Sequence, residues 1–193
     1  MIWPKNSIYE FFRMMKRGLK AVITQSYTEA NVKNGVQFAQ STFTPALGSS
    51  VVVEFALVTG SKPISMKGRV FQYDGEGVSV EVFTDCSITG GTPSTPYNLN
   101  DRSDNETETR LVSGFTSPVY GDSFIGERAY LGSSQQGNRV ITTVSEEVFG
   151  LETIYKENTT YIIRVTSIDG SNTQRLSSYF TYYEGEFDLP DNS

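Results

Sequence analysis

The sequence offers few side chains that could perform catalysis. Histidine is absent, so the commonest general base and metal ligand is missing. Cys86 is the single cysteine, so neither an intrachain disulfide nor a cysteine-rich zinc site can form. A thiol without an activating base is expected to be inert. The sequence therefore predicts a protein that is not an enzyme and that uses no metal or other cofactor.

Paired carboxylates are the remaining catalytic possibility, because glycoside hydrolysis uses two facing carboxyl groups. The candidates are Glu54, Glu81, Glu146 and Glu147. Glu54 lies inside the apolar run of residues 51–59, and a carboxylate in a buried strand must be paired or protonated. We favour a structural role, in which Glu54 faces outward on an edge strand or pairs with Lys67 or Arg69.

A second acidic group lies in the loop of residues 96–108, which contains Asp101, Asp104, Glu106 and Glu108. Alternating acidic oxygens can ligate calcium, but Glu106 occupies the position of the turn glycine of an EF-hand loop. We therefore expect a solvated loop or a loop that contacts a partner. Its expected contact residues are Asp101, Arg102, Asp104 and Glu106.

The elements that must position these side chains divide the chain by charge. The whole sequence has 16 Lys and Arg residues against 22 Asp and Glu, a net charge of −6, which disfavours nucleic-acid binding. The first twenty residues are basic, with Lys5, Arg13, Lys16, Arg17 and Lys20 against Glu10 alone. We expect a basic arm over residues 1–35, a body over residues 36–184 and an acidic tail over residues 185–193.

The arm has the pattern of a short amphipathic helix over residues 8–19. Ser7 and Glu10 have the spacing of a capping box. One face is apolar and consists of Ile8, Phe11, Phe12, Met15 and Leu19. The helix can pack on its own domain or dock on a neighbouring subunit, and membrane binding is the less favoured third interpretation. For a docking arm, the expected contact residues are Phe11, Phe12, Arg13, Lys16 and Arg17.

After residue 35 the hydrophobic period changes to two. Residues 77–85 alternate valines with Ser79, Glu81 and Phe83, which is typical of a half-buried strand. Residues 51–59 form a dense β-branched run, which predicts a fully buried strand. Residues 65–73 also alternate, and further strand patterns cover residues 36–43, 107–112, 124–131, 139–144, 160–167 and 176–184. About nine short strands separated by turns predict an all-β, antiparallel sandwich or barrel.

The last strand pattern is rich in aromatic residues. A period of two places Phe180 and Tyr182 on one face and Tyr179 and Tyr183 on the other. One face is expected to be core. Tyr179 and Tyr183 are candidate interface residues, because tyrosine is favoured at the centres of interfaces. Subunit contact is preferred over glycan binding for this face.

Three stretches resemble small virion proteins of tailed bacteriophages. Residues 96–112 (PYNLNDRSDNETETRLV) resemble a polar loop followed by a strand in those proteins. Residues 155–184 (YKENTTYIIRVTSIDGSNTQRLSSYFTYYE) are similar to their C-terminal hairpin, and residues 61–85 to a lysine followed by a valine-rich strand. The resemblance implies a β-sandwich of jelly-roll type in an assembled particle.

The function implied by the resemblance is structural. It is that of a capsid decoration or cement protein, located in the virion and made in the bacterial cytoplasm. The implied partners are the major capsid protein or other virion proteins and further copies of the chain, with a trimer expected. A tail, collar or head-fibre adaptor is the alternative within this class. A carbohydrate-binding module is the alternative from another class.

Overall fold

The computed structural model describes residues 27–132, 134–135, 138–139, 142–145, 153–170 and 172–185. The predicted arm helix and its contact residues Phe11, Phe12, Arg13, Lys16 and Arg17 lie outside these ranges, as do Glu146, Glu147 and residues 186–193. Two compact units divide the chain, residues 1–30 and residues 31–193, and the sheets belong to the second. No helix within the described residues is long and apolar enough to cross a membrane.

Within the described residues, one short helix, α1 (Tyr27–Lys33), precedes the strands. The first eight strands are β1 (Gln37–Leu47), β2 (Val52–Val58), β3 (Ile64–Tyr73), β4 (Gly77–Phe83), β5 (Ser87–Thr89), β6 (Thr92–Pro93), β7 (Tyr97–Asn98) and β8 (Arg110–Ser113). The next eight are β9 (Thr116–Val119), β10 (Ser123–Leu131), β11 (Ser134–Gln135), β12 (Asn138–Arg139), β13 (Thr142–Ser145), β14 (Thr153–Tyr155), β15 (Thr160–Ser167) and β16 (Gln174–Glu184).

The long strands form two antiparallel sheets. Sheet A has the order β13-β3-β16-β1-β7, with β14 also paired to β3. Sheet B has the order β10-β4-β15-β2-β8-β6. Two small ribbons stand apart from them, β5 with β9 and β11 with β12. The predicted all-β antiparallel sandwich is confirmed.

The connectivity is that of a jelly roll. The eight principal strands change sheet at every step along the chain except from β4 to β10, which both belong to sheet B, and they pair as four nested ribbons. The ribbons are β1 with β16, β2 with β15, β3 with β13, and β4 with β10. Eight strands in this nested order form the double-sheet jelly roll. The fold implied by the sequence resemblance is therefore found in the strand order itself.

The core lies between the two sheets and follows the predicted alternation on β4. Val78, Val80 and Val82 are buried in it, while Glu81 and Phe83 face outward. Aromatic residues from sheet A pack against these valines and against their neighbours on β15, among them Phe71, Tyr73, Phe180 and Tyr182. A strand with one face on the core and one on the outside has this period of two.

The prediction of a fully buried strand over residues 51–59 is wrong for its first half. Val51 and Val52 are 47% and 46% exposed. Only the later part of β2 is covered on both faces, where Ala56 packs beneath Ile88 and Phe115. The cover comes from the ribbon of β5 and β9, which is too short to extend over the start of β2.

The alternation predicted for residues 65–73 is interrupted by a register shift. The shift lies opposite Thr181 and Tyr182 of β16. Beyond it, Arg69 pairs with Phe180 and faces the core, where its Nη1 donates a 3.1 Å hydrogen bond to the hydroxyl of Tyr155. Lys67 lies on the outer side instead, with its Nζ 4.6 Å from the ring centre of Tyr183.

A buried glutamine links the two sheets at one edge. Gln40 of β1 donates from Nε2 to the carbonyl of Thr109, at 3.2 Å, and to the hydroxyl of Tyr182, at 2.6 Å. Its Oε1 accepts from the backbone N–H of Leu111, at 2.8 Å, and from the hydroxyl of Ser94, at 2.9 Å. We call these five residues the Gln40 cluster. It joins sheet A to the β8 side of sheet B through one fully satisfied amide.

Candidate functional site: a cleft on the outer face of sheet B

A cleft of about 620 Å³ opens on the outer face of sheet B. Its lining residues are Val52, Val53, Glu54, Gly114, Phe115, Tyr120, Arg164 and Thr166. They come from the start of β2, the end of β15 and the segment that follows β8. The volume falls within the range of ordinary small-ligand sites, and the lining mixes aromatic, aliphatic and charged side chains as such sites do.

Strand register brings the two charged residues of the cleft together. Glu54 of β2 lies directly opposite Arg164 of β15, and residues paired across an antiparallel ladder point to the same face. Arg164 also lies opposite Glu81 of β4, on its other side. Two details of the prediction for Glu54 are wrong. It faces outward from an interior strand rather than an edge strand, and its partner is Arg164 rather than Lys67 or Arg69.

One oxygen of Glu54 accepts two hydrogen bonds. Arg164 donates from Nε to Glu54 Oε1 at 2.9 Å, and the Tyr120 hydroxyl donates to the same oxygen at 2.8 Å. The side chains of Arg164 and Glu54 are 30% and 18% exposed. The other oxygen, Oε2, accepts no hydrogen bond from the described residues. The carboxylate is thus held in place and still has an acceptor to offer.

Two aromatic rings hold the guanidinium of Arg164. Its central carbon lies 4.5 Å from the ring centre of Tyr120 and 5.0 Å from that of Phe83. The rings of Tyr120 and Phe83 also contact each other, with their centres 5.1 Å apart. Contacts of this kind with a partly desolvated cation are favourable.

Electrostatics fix the charge states in the cleft. Partial burial lowers the pKa of Arg164, but its hydrogen bonds to Glu54 and Tyr120 outweigh burial and hold this pKa above its ordinary value. Partial burial and the hydrogen bond to Glu54 raise the pKa of Tyr120. At neutral pH the guanidinium is therefore charged and the phenol is a hydrogen-bond donor.

The segment between β8 and β10 positions the aromatic side of the cleft. Gly114 has a φ of 66°, a conformation that favours glycine, and it turns the chain from β8 back over sheet B. Phe115 then packs on Ala56 and Ile162. After β9, Gly121 lies so close to the backbone of Thr84 and Asp85 that a side chain there would collide with their carbonyl groups. This close approach fixes the preceding residue, Tyr120, over Glu54.

The arrangement offers groups that can bind a ligand. Among the described lining residues Glu54 is the one carboxylate, whereas glycoside hydrolysis needs two that face each other across the substrate. Glu81 is separated from Glu54 by the intervening strand β15, at a strand spacing of about 4.8 Å each way. Three or more Asp, Glu or Cys side chains grouped to hold a metal ion are not found within the described ranges.

The predicted contact loop is displayed on the surface. Asp101, Arg102, Asp104 and Glu106 are all exposed. Asparagine side chains anchor the loop to the residues around the end of α1. Asn100 Nδ2 donates to the carbonyl of Lys33 at 3.0 Å, and Asn98 Nδ2 donates to that of Gly35 at 2.8 Å. A partner-binding role for the four exposed residues stays a prediction.

The two candidate interface tyrosines differ in exposure. Tyr183 is 4% exposed, and its ring contacts the ammonium group of Lys67. Tyr179 is half-buried. Burial, and to a smaller extent the hydrogen bond with the hydroxyl of Tyr179, raise the pKa of Tyr97 to about 12. An interface on this face would therefore use Tyr179 and its exposed neighbour Tyr97 rather than Tyr183.

Sequence reasoning did not single out Arg164, Tyr120 or Phe115. Arg164 is the one charged residue of β15, and Glu54 is the one charged residue of β2. Two single, opposite charges in two apolar strands could have predicted that these residues pair. No sequence signal pointed to Tyr120 and Phe115, because they reach the cleft only where the chain turns back over sheet B.

Comparison with known proteins adds little. No family model matches the sequence, and no curated protein matches it. A chain from a crystal structure of the T13 IBDV viral particle is similar at 10% sequence identity and a TM-score of 0.16. The match covers 78% of this chain and 43% of that chain, so this chain spans less than half the length of the viral one. A TM-score this low carries no argument, and the fold rests on the strand order described above.

Proposed function

We propose that this chain is a structural protein of a virus particle, and specifically a decoration or cement protein on the capsid of a tailed bacteriophage. The observation that carries the proposal is the jelly-roll connectivity. Viral capsid proteins, lectins and cupins share this architecture. A fold alone does not define a function, so the proposal also depends on the sequence resemblance and on the surface.

The sequence resemblance coincides with the central strands of the jelly roll. Residues 155–184 contain β15 and β16, which each pair on both sides within their own sheets. Residues 61–85 contain β3 and β4, the neighbours of those strands. The resembling stretches therefore cover the framework of the fold, whereas residues 96–112 cover the exposed loop and β8.

The surface is suited to repeated protein contacts. Large apolar side chains are exposed at separate places, with Leu131 75%, Phe43 64% and Val119 63% exposed. Three of the four strands at the ends of the two sheets are poor templates for strand addition. β6 and β7 are two residues long, and β10 has two register shifts against β4. Contacts with a neighbour would therefore use side chains and loops rather than shared sheets.

In this proposal the protein has no catalytic role and needs no cofactor. It binds the major capsid protein or another virion protein through symmetric, repeated contacts, and it assembles as the homotrimer that the resemblance implies. The basic arm supplies docking residues, and the acidic body with its net negative charge does not bind nucleic acid.

Co-sedimentation with empty capsids of the encoding phage tests the proposal. The test variant reverses three arm charges (R13E/K16E/R17E). The matched control makes the same charge change at exposed body positions (K62E/R128E/K156E). We expect the wild type and the control to saturate capsids and the arm variant to bind much less. Equal binding by both variants would contradict the docking role of the arm.

Copy number separates decoration from the alternatives within the class. A cement protein is present in roughly hundreds of copies per particle, because it repeats with the capsid lattice. A tail, collar or head-fibre adaptor is present in few copies. Quantitative mass spectrometry of purified particles measures this number directly. A low copy number would overturn the decoration role and support an adaptor.

A further inference from the structure

We propose that the cleft on sheet B binds one neutral pyranose ring of a glycan. This inference goes beyond the structural role and does not rest on it, since it uses only the geometry of Glu54, Arg164, Tyr120 and the residues around them. A sugar ring presents neighbouring hydroxyl groups on its edge and C–H groups on its face. The cleft offers a matching surface for each.

The polar side of the cleft matches a pair of neighbouring hydroxyl groups. Each hydroxyl both donates and accepts a hydrogen bond. Glu54 offers Oε2 as an acceptor, because Arg164 and Tyr120 both donate to Oε1. Arg164 has five N–H donors, and its hydrogen bonds to Glu54 and Tyr120 leave others to offer. An acceptor and a donor side by side can bind adjacent sugar hydroxyls as a pair.

The apolar side of the cleft matches the face of the ring. Tyr120 is 37% exposed and Val52 is more exposed still, so both present apolar surface that a ligand can cover. Phe115 adds a second ring to the lining and is held against the sheet by Ala56 and Ile162. An aromatic ring is a large, rigid surface for stacking.

The site is already organised before a ligand binds. The carboxylate of Glu54 is fixed by two hydrogen bonds, and the guanidinium of Arg164 is fixed by the rings of Tyr120 and Phe83. Side chains that are held in this way lose little entropy on binding. Two carboxylates, Glu54 and Glu81, lie on either side of the one guanidinium of Arg164, which favours a neutral ring over a uronate or another acidic sugar.

The experiment is ligand-observed NMR on the full chain, with methyl glycosides of glucose, galactose, mannose and their N-acetyl derivatives as neutral probes and the methyl glycoside of glucuronate as the acidic one. We expect one of them to bind saturably in the millimolar range, as a monosaccharide does at a single shallow site. Glu54→Gln and Tyr120→Ala should each weaken binding by at least about tenfold, because each removes a lining group.

Glu81→Gln is the matched control. Glu81 lies on the other side of Arg164 and does not line the cleft, so this variant should bind as the wild type does. Thermal unfolding of all variants checks that they fold. Equal weakening by Glu54→Gln and Glu81→Gln would overturn the proposal, since it would indicate a general charge effect. Absence of saturable binding by every neutral probe, or binding of glucuronate alone, would overturn it as well.

Discussion

The Gln40 cluster and the cleft contain similar polar groups, but they lie on opposite faces of the sheets. Gln40 lies inside the sandwich, and both donors and both acceptor positions of its amide are used by the chain itself. In the cleft, Glu54 uses one oxygen and keeps the other available. Both sites are preorganised by neighbouring residues. The difference indicates that the inner cluster stabilises the fold, whereas the outer site is able to bind a partner or ligand.

The comparison predicts the largest loss of stability for Gln40→Leu. This variant leaves the buried backbone N–H of Leu111 and the part-buried hydroxyl of Ser94 without their shared acceptor, and it leaves the buried hydroxyl of Tyr182 without its donor. Each such orphaned group costs about 1–3 kcal/mol, so we expect a total loss of about 3 kcal/mol in the free energy of unfolding. Urea unfolding measures it. A loss below about 1 kcal/mol would contradict the stabilising role of the Gln40 cluster.

The next largest effect is a loss of stability at high pH through Tyr182. Burial raises the pKa of Tyr182 to about 12, so the unfolded chain releases this proton first, near pH 10. The stabilisation is fully present below pH 10 and is lost as the pH rises towards 12, by about 2–3 kcal/mol. Urea unfolding at pH 8 to 12 should show a shallower decline for Tyr182→Phe. Parallel curves for the variant and the wild type would contradict this assignment.

A smaller effect is expected in the cleft. Tyr120→Phe removes one hydrogen bond to Glu54 but keeps the ring, and the site is partly exposed to water. We expect unfolding free energy to fall by at most about 1 kcal/mol. Thermal unfolding of Tyr120→Phe and Gln40→Leu, measured side by side, tests whether the cleft contributes less to stability than the Gln40 cluster. If Tyr120→Phe destabilises as much as Gln40→Leu, the cleft is a structural site in the same sense as the Gln40 cluster.

The smallest effect is expected for the exposed acids of the loop. Asp101→Asn and Glu106→Gln change side chains that do not anchor the loop, so unfolding free energy should stay within about 0.5 kcal/mol of the wild type. Asn98→Ala is the control, because it removes a hydrogen bond to Gly35. Only the control should lower stability measurably by urea unfolding.

The sequence predicts those parts of the fold that depend on local alternation. The inward valines of β4 and the strands over residues 160–167 and 176–184 follow from a period of two. A period of two does not predict which face of β3 Arg69 occupies, because a register shift exchanges the inner and outer faces partway along the strand. The helix α1 is also missing from the prediction, since its seven residues carry no clear apolar period.

The candidate site was accessible to sequence reasoning only in part. Glu54 stands out as a charge in an apolar run, but its partner is more than a hundred residues away in the chain and is brought opposite it by β-sheet register. Tyr120 reaches the cleft because the chain turns at Gly114 and packs closely at Gly121. Such long-range placement depends on packing rather than on spacing in the sequence.

The most direct test of the structural role is the molar mass of the purified full chain, measured by light scattering, alone and with empty capsids. The account predicts a stable trimer that saturates capsids at on the order of hundreds of copies per particle. A monomer or dimer that leaves the mass of the capsids unchanged would contradict it.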